Sequence, residues 1–192
     1  QCRSNPKLVG TAGFVIVVAS TIVLVRVAIE IAAVARGLLP ALIPPFAAVF
    51  VLMAAISGWL YFRLQQSKAE PTKHSNPSQL KPALIFGALY AGVLLLVAFV
   101  KDHFGDTAIY AAALISGLTD VDALTLSVAS LFNQESLSAD TSWRAILLAT
   151  LSNLAFKAGA AGVLGGARLF RIVGIAFGVT ILAGLAVIFV WP

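Results

Sequence analysis

The stretch that decides the fold is GLTDVDALTLS, residues 117–127, which places two carboxylates and several hydroxyls inside an otherwise apolar run. An acidic side chain at the centre of a bilayer costs about 2.5–3.5 kcal/mol on insertion scales, so it persists only where it is paired, hydrated or used. Asp120 and Asp122 are therefore the groups around which the rest of the sequence has to be interpreted.

The composition around this stretch is that of a membrane protein. The 192 residues are 60% hydrophobic and 11% charged, and the mean hydropathy is +0.98. A soluble domain carries about 25% charged residues, so the solvent for this chain must be lipid. The single cysteine excludes an internal disulfide framework. The net charge of +5 does not indicate a nucleic-acid partner, because most Lys and Arg residues lie between apolar runs, where charges set membrane topology.

The apolar runs predict an all-α bundle of about six transmembrane helices in a single domain over residues 1–192. A polar loop at 64–81 divides a sub-bundle at 8–63 from one at 82–191. Three prolines predict a turn at 38–45. Five of the spans are expected at 8–36, 45–63, 82–100, 142–164 and 169–191. The fourth span begins near residue 107 and ends at a polar connector, 131–142.

Two conformations of the fourth span remain open. In a continuous helix, Ser116, Thr119, Asp120 and Ser127 share one face, whereas Asp122 and Thr125 point elsewhere. A break in the stretch from Gly117 to Asp122 would let both carboxylates converge, as in the broken helices of transporters. In either case the candidates for ion binding or proton exchange are Asp120, Asp122, Thr119, Ser116, Thr125 and Ser127.

Other ionisable residues inside spans are candidates to compensate these charges. Arg26 and Glu30 are spaced to share a helix face, as are Asn153 and Lys157. Lys157 is the expected counter-ion of Asp120 or Asp122. With all five groups ionised, the three acids and two bases leave one negative charge, so one acid should be protonated or should hold a cation. No organic cofactor is expected, and the bound cation is not specified by the sequence.

The central motif Gly117-Leu118-Thr119-Asp120-Val121-Asp122-Ala123 resembles the signature of domain of unknown function 4010, DUF4010. The resemblance extends to Ser20-Thr21 with Arg26 and Glu30, Leu39-Pro40 through Pro45, Asn76-Pro77 with Leu80-Lys81-Pro82, and Ser152-Asn153 with Lys157. Bacterial proteins of this type often pair the domain with an N-terminal MgtC/SapB-like membrane half. The resemblance implies that this chain is the C-terminal half of a longer inner-membrane protein, with that other half as its partner.

Two functions of different classes follow. The first is a cation-handling transporter or channel component with an intramembrane Asp/Asp/Lys centre. The alternative is a non-transporting module that binds or regulates a partner membrane protein, or forms a homo-oligomer, through a small-residue face such as Gly174 and Gly178. An enzyme is not expected, because the sequence has no nucleophile elbow, HExxH or glycine-rich phosphate loop.

The distribution of basic residues predicts that both termini face the cytoplasm. With six spans, the richer side holds Arg3, Lys7, Arg63, Lys68, Lys73, Lys81 and Arg144, and the other side holds Arg36, Lys101, Arg168 and Arg171.

Overall fold

A computed structural model describes residues 6–65 and 109–191, and every regular element in these ranges is a helix. The predicted all-α bundle is therefore confirmed. Three predicted segments fall outside the described residues. They are the loop from residue 66 to 81, the third span at 82–100 and the first residues of the fourth span, 107 and 108. The helices are α1 Pro6–Val34, α2 Leu39–Gln65, α3 Ile109–Thr119, α4 Val121–Asn133, α5 Ala139–Gly165 and α6 Ala167–Val190, with a 3₁₀ turn at Arg36–Leu38.

Four of these helices, α1, α2, α5 and α6, are long and apolar enough to cross a membrane. The other two, α3 and α4, have 11 and 13 residues. A rise of about 1.5 Å per residue makes each of them roughly half as long as the 30 Å hydrocarbon core is thick. Both pack against α5, and contacts of Leu114 with Ser152 and of Gly117 with Ala149 show that α3 runs antiparallel to α5. Together α3 and α4 occupy the region predicted as the fourth span, with a break between them.

The break is at Asp120, whose backbone is extended (φ −147°, ψ 103°). Its Oδ1 accepts hydrogen bonds from the backbone N–H groups of Asp122 at 3.0 Å and Ala123 at 3.1 Å. An aspartate that caps the first turn in this way stabilises a helix start by about 1 kcal/mol. The break thus lies within the predicted stretch, and the residue that forms it is the capping aspartate rather than Gly117.

The predicted turn at 38–45 is wrong, because α2 begins at Leu39 and contains all three prolines. Pro40 lies in the first helical turn, where an N–H has no intrahelical acceptor, so it removes no hydrogen bond. Pro44 and Pro45 follow one turn later, and prolines are tolerated inside membrane helices where neighbouring groups satisfy the freed carbonyls. The change of direction is instead made by the 3₁₀ turn at Arg36–Leu38.

The central helix of the bundle is α5, which packs against α3, α4 and α6. Its first half is buried on most sides and includes Trp143, Ile146 and Leu147. The first turn of α5 is capped by Ser138, whose hydroxyl accepts from the Thr141 N–H at 3.1 Å. Buried Thr150 donates to the Ile146 carbonyl within the helix. Hydroxyls satisfied by their own backbone allow α5 to be surrounded by protein without unpaired polar groups.

The two ends of the bundle are defined by contacts between helix termini. At one end, Asn133 donates to the carbonyl of Val34 at 2.8 Å, which joins the end of α4 to the end of α1. The start of α5 and the end of α6 meet at this same end. At the other end, Gly10 packs against Leu64 and Gly13 against Ile172. The start of α1 and the end of α6 therefore lie at opposite ends of the bundle, whereas two cytoplasmic termini would require them at the same end.

Arg144 fastens the end of α6 to the start of α5. Its Nε donates to the Ile188 carbonyl at 3.0 Å and its Nη2 to the Trp191 carbonyl at 2.9 Å, while Nη1 pairs with Asp140. The last carbonyls of a helix lack intrahelical donors, so one guanidinium satisfies two of them. This also places Arg144 at the opposite end of the bundle from Arg63, although the sequence-based topology assigned them to one side.

Replacing Arg144 with Met should lower the free energy of unfolding by about 2 kcal/mol, because two charge-assisted hydrogen bonds are lost. Thermal unfolding of the purified protein in detergent measures the change. The matched control is Arg168→Met, since Arg168 makes no hydrogen bond or ion pair within the described ranges and its loss should cost no more than about 0.5 kcal/mol. Equal losses for the two variants would contradict the fastening role.

Candidate functional site

The candidate site is built on the break between α3 and α4. A break releases the last carbonyls of one helix and the first N–H groups of the next. Asp120 takes two of the N–H groups, as described above. The Asn153 side chain of α5 donates to the Gly117 carbonyl at 3.0 Å, and the Ser152 hydroxyl donates to the Leu114 carbonyl. Two polar side chains of α5 therefore hold the end of α3.

Gly117 permits this arrangement because the two backbones nearly touch. A Cβ atom at Gly117 would lie 2.3 Å from the carbonyl oxygen of Ala149 and 2.6 Å from its Cα. Real Cβ atoms do not approach backbone atoms so closely, so only glycine fits at this position. The conformation of Gly117 is helical, which means that the residue serves close packing rather than the break itself.

On one side of the break, an acid pair shares one arginine. Asp122, in the first turn of α4, forms an ion pair with Arg26 of α1. The Arg26 Nε also donates to Oε1 of Glu30 at 3.1 Å. The other Glu30 oxygen, Oε2, is buried and has no hydrogen-bond partner among the described residues. We call Arg26, Glu30 and Asp122 the acid-pair centre; two carboxylates and one guanidinium give it one net negative charge.

Next to α3, a cleft of about 470 Å³ opens between α1, α3, α5 and α6. Its polar lining consists of Ser20, Thr119, Asn153 and Lys157. Lys157 is half-buried and forms no ion pair or hydrogen bond within residues 6–65 and 109–191. Arg26 is close enough to interact with it electrostatically. The expected contact between Lys157 and a carboxylate is therefore absent from the described chain, and Arg26 is the base that contacts Asp122.

The remaining candidates are placed as follows. Thr119 lines the cleft while its hydroxyl donates to the Ser116 carbonyl at 3.1 Å. Thr125 is buried, and Ser127 is exposed one half-turn further on; both hydroxyls donate within α4, at 2.8 Å each. Asp120 is exposed and used as the cap. The structure thus brings Thr119, Asp120 and Asp122 to the break and leaves Thr125 and Ser127 bonded to their own helix.

Ser20 is a lining residue that the site prediction missed. Its neighbour Thr21 is buried and lies 3.4 Å, oxygen to oxygen, from the hydroxyl of Ser57 in α2. The available signal was a pair of hydroxyl residues in the middle of an apolar span, which is the pattern that already singled out 117–127.

A metal site made only of side chains is not formed by the described residues. Within 6–65 and 109–191, no three His, Cys, Asp or Glu residues come together. Hard cations such as Mg²⁺ and Ca²⁺ accept carboxylate, carbonyl and hydroxyl oxygens. The acid-pair centre offers two carboxylates for such an ion or for a proton.

The long apolar helices, the broken span and the ionisable groups inside it define an integral membrane protein of the helical-bundle class. The chain belongs to the family Domain of unknown function (DUF4010), whose match covers residues 1–165. This confirms the DUF4010 resemblance of the central motif.

One relative is a protein of Aquifex aeolicus (strain VF5) that bears the name "Uncharacterized protein". It is 37% identical over 130 residues, which are 67% of this chain and 55% of that protein. This chain therefore spans little more than half of its relative's length. No solved structure matches the sequence significantly.

Proposed function

We propose that this chain is the cation-handling part of a membrane transporter or channel, and that exchange takes place at the acid-pair centre. The observation that carries the proposal is the sharing of Arg26 by Asp122 and Glu30, with Oε2 of Glu30 buried and without a hydrogen-bond partner in the described parts of the chain. One net negative charge in a membrane interior calls for neutralisation by a proton or a cation. A carboxylate that can exchange the two is the chemical requirement of a cation carrier.

The charge balance also accounts for coupling. Glu30, Asp120 and Asp122 carry three negative charges against the two positive charges of Arg26 and Lys157. Without a bound proton or cation, these five groups therefore carry one net negative charge. With one proton or one monovalent cation bound, they are neutral. Because a charge is costly in hydrocarbon, the neutral state is the one that can be carried between the two sides of the membrane. This favours exchange of one cation for another over free leakage.

The broken span gives the centre its position. Each half-helix covers about half of the hydrocarbon core, so Asp120 and Asp122 lie near mid-membrane when α3 and α4 cross it together. Substrate and ion sites of transporters with broken helices lie at this depth. The cleft beside Lys157 adds polar groups next to the break, among them Thr119 and Asn153.

Topology and partner belong to the same proposal. Arg63, Arg168 and Arg171 lie at the end of the bundle where α1 starts, with no acidic residue of the described chain among them. The opposite end balances Arg36 and Arg144 with Glu135 and Asp140. The positive-inside rule then places the start of α1 on the cytoplasmic side of a bacterial inner membrane. An MgtC/SapB-like half of the same protein is the proposed partner.

The direct test is cation flux in proteoliposomes that contain the purified full-length protein. An internal pH dye reports proton movement while Na⁺, K⁺ or Mg²⁺ gradients are imposed in turn. The variant Glu30→Gln/Asp122→Asn should reduce flux at least about tenfold, because it removes both exchangeable carboxylates. The control Glu135→Gln changes an exposed acid in the turn before α5 and should leave flux unchanged. The proposal would be refuted if wild-type liposomes showed no flux with any of the imposed gradients, or if the double variant showed the same flux as wild type.

The alternative, a non-transporting module that binds or regulates a membrane partner, has one observation in its favour. The glycine step at Gly174 and Gly178 leaves room for another helix: a Cβ at Gly178 would have nothing within 4 Å among the described residues, and the nearest atoms to one at Gly174 would be those of Phe170 in the same helix, at 3.7 Å or more. Small-residue steps allow close helix contact. This function predicts a complex held through that face and no flux in the proteoliposomes, so the flux measurement separates the two.

A further inference from the structure

A second cleft, distant from the acid-pair centre, lies at the end of the bundle where α1 starts. It has a volume of about 620 Å³ and runs between the last part of α2 and the first part of α6, and its lining includes Gly10 of α1, next to Leu64. Its walls are apolar and include Ile175 and Val179, which are 63% and 47% exposed. Its mouth carries two arginines, Arg63 and Arg171.

The two arginines are at the same level because α2 and α6 are antiparallel. From Arg63 the wall of α2 extends to Ala55, and from Arg171 the wall of α6 extends to Val179. Eight residues on each helix at about 1.5 Å per residue give a cleft roughly 12 Å deep, close to the thickness of one hydrocarbon leaflet. The cleft therefore has a polar end at Arg63 and Arg171, and its apolar part extends from there far enough to hold most of an acyl chain.

The charges at the mouth are available to a ligand. Neither arginine forms an ion pair with any carboxylate in the described parts of the chain. The Arg63 guanidinium carbon lies 4.3 Å from the centroid of the Trp59 ring, which orients the planar group while its N–H donors remain at the edge. Trp59, Tyr61 and Phe62 at this level correspond to an interfacial aromatic belt. The mouth is therefore at the height of lipid phosphates.

We infer that this cleft binds one anionic phospholipid, with the phosphate on Arg63 and Arg171 and an acyl chain between α2 and α6. Charge complementarity selects the occupant: two guanidinium groups without an ion-pair partner among the described residues favour a phosphate with a net negative headgroup over a zwitterionic one. The apolar walls exclude a fully polar ligand. This site is independent of the proposed cation exchange, since none of its lining residues belongs to the acid-pair centre.

The test is lipid binding to the purified full-length protein, measured by native mass spectrometry. Phosphatidylglycerol and phosphatidylcholine with identical acyl chains are titrated separately. Each arginine near a membrane surface contributes about fivefold in affinity, so Arg63→Gln/Arg171→Gln should weaken phosphatidylglycerol binding roughly 30-fold. The control Arg168→Gln removes a charge from the same end of α6 without touching the cleft lining, and binding should stay within about threefold of wild type.

A second variant tests the apolar part. Val179→Trp fills the inner end of the cleft and should weaken binding of both lipids without changing the preference between them. A loss of about fivefold for Arg168→Gln, the loss expected for any arginine near the membrane surface, would overturn the inference, because binding would then follow surface charge alone. Glycerol 3-phosphate binding as tightly as phosphatidylglycerol would also overturn it in favour of a free-phosphate site. So would reaction of a photo-activated cross-linker, attached to the thiol of Val179→Cys in a chain lacking Cys2, with a residue of the same protein outside the described ranges.

Discussion

Replacing Gly117 with Ala is expected to destabilise this protein by about 3 kcal/mol or more, although alanine is the better helix former. The added methyl group would lie 2.3 Å from the Ala149 carbonyl oxygen. The atoms it meets are backbone atoms of the central helix α5, which cannot turn aside as a side chain can. The end of α3 must therefore move, and the hydrogen bonds from Ser152 and Asn153 to its carbonyls are strained or lost.

The chain offers matched controls for this substitution. A Cβ at Gly159 or Gly178 would have nothing within 4 Å, so Gly159→Ala and Gly178→Ala should gain up to about 1 kcal/mol from helix propensity. Thermal unfolding in detergent, with the fraction of monodisperse protein as a second readout, compares the three variants. A Gly117→Ala protein as stable as these controls would show that α3 and α5 are farther apart than the structure places them.

The general architecture could be predicted from the sequence because long apolar runs have few physical solutions. In lipid, backbone polar groups must be satisfied within a segment, so such runs become helices. The sequence left a continuous and a broken fourth span both open; the break is favoured because the Asp120 carboxylate can satisfy the first N–H groups of a new helix. The position of the break at Asp120 follows from that capping, whereas the sequence limited it only to the stretch from Gly117 to Asp122.

The pairing of charges could not be predicted, because it depends on which helices touch. Lys157 and Arg26 are both bases within apolar spans, and their sequence context does not show which one faces Asp122. That choice is made by the packing of α1 against α4. The proline-rich start of α2 was mispredicted for a similar reason: the cost of each proline depends on its distance from the helix start, and that start is fixed by the 3₁₀ turn before it.

Replacing Arg26 with Met should lower the free energy of unfolding by about 2–3 kcal/mol, because it leaves two carboxylates of the acid-pair centre without their shared cation. We expect a loss of about 2 kcal/mol, because the Arg26 side chain is 56% exposed and the interaction between exposed charges is weaker. The matched control is Arg36→Met, which removes one hydrogen bond to the Ala32 carbonyl at the end of α1 and should cost less than about 1 kcal/mol.

The decisive comparison is the neutral triple variant Arg26→Met/Glu30→Gln/Asp122→Asn. An ion pair replaced by neutral groups of similar size often costs little, whereas loss of one partner leaves an uncompensated charge. The triple variant should therefore recover most of the stability lost in Arg26→Met, as measured by thermal unfolding, while its cation flux stays at least about tenfold below wild type. A triple variant as unstable as the single one would mean that Arg26 acts through packing, and one with full flux would place exchange elsewhere in the membrane domain. Recovery of the fold without recovery of flux separates the two roles of the centre, since only exchange needs a carboxylate that can release its proton.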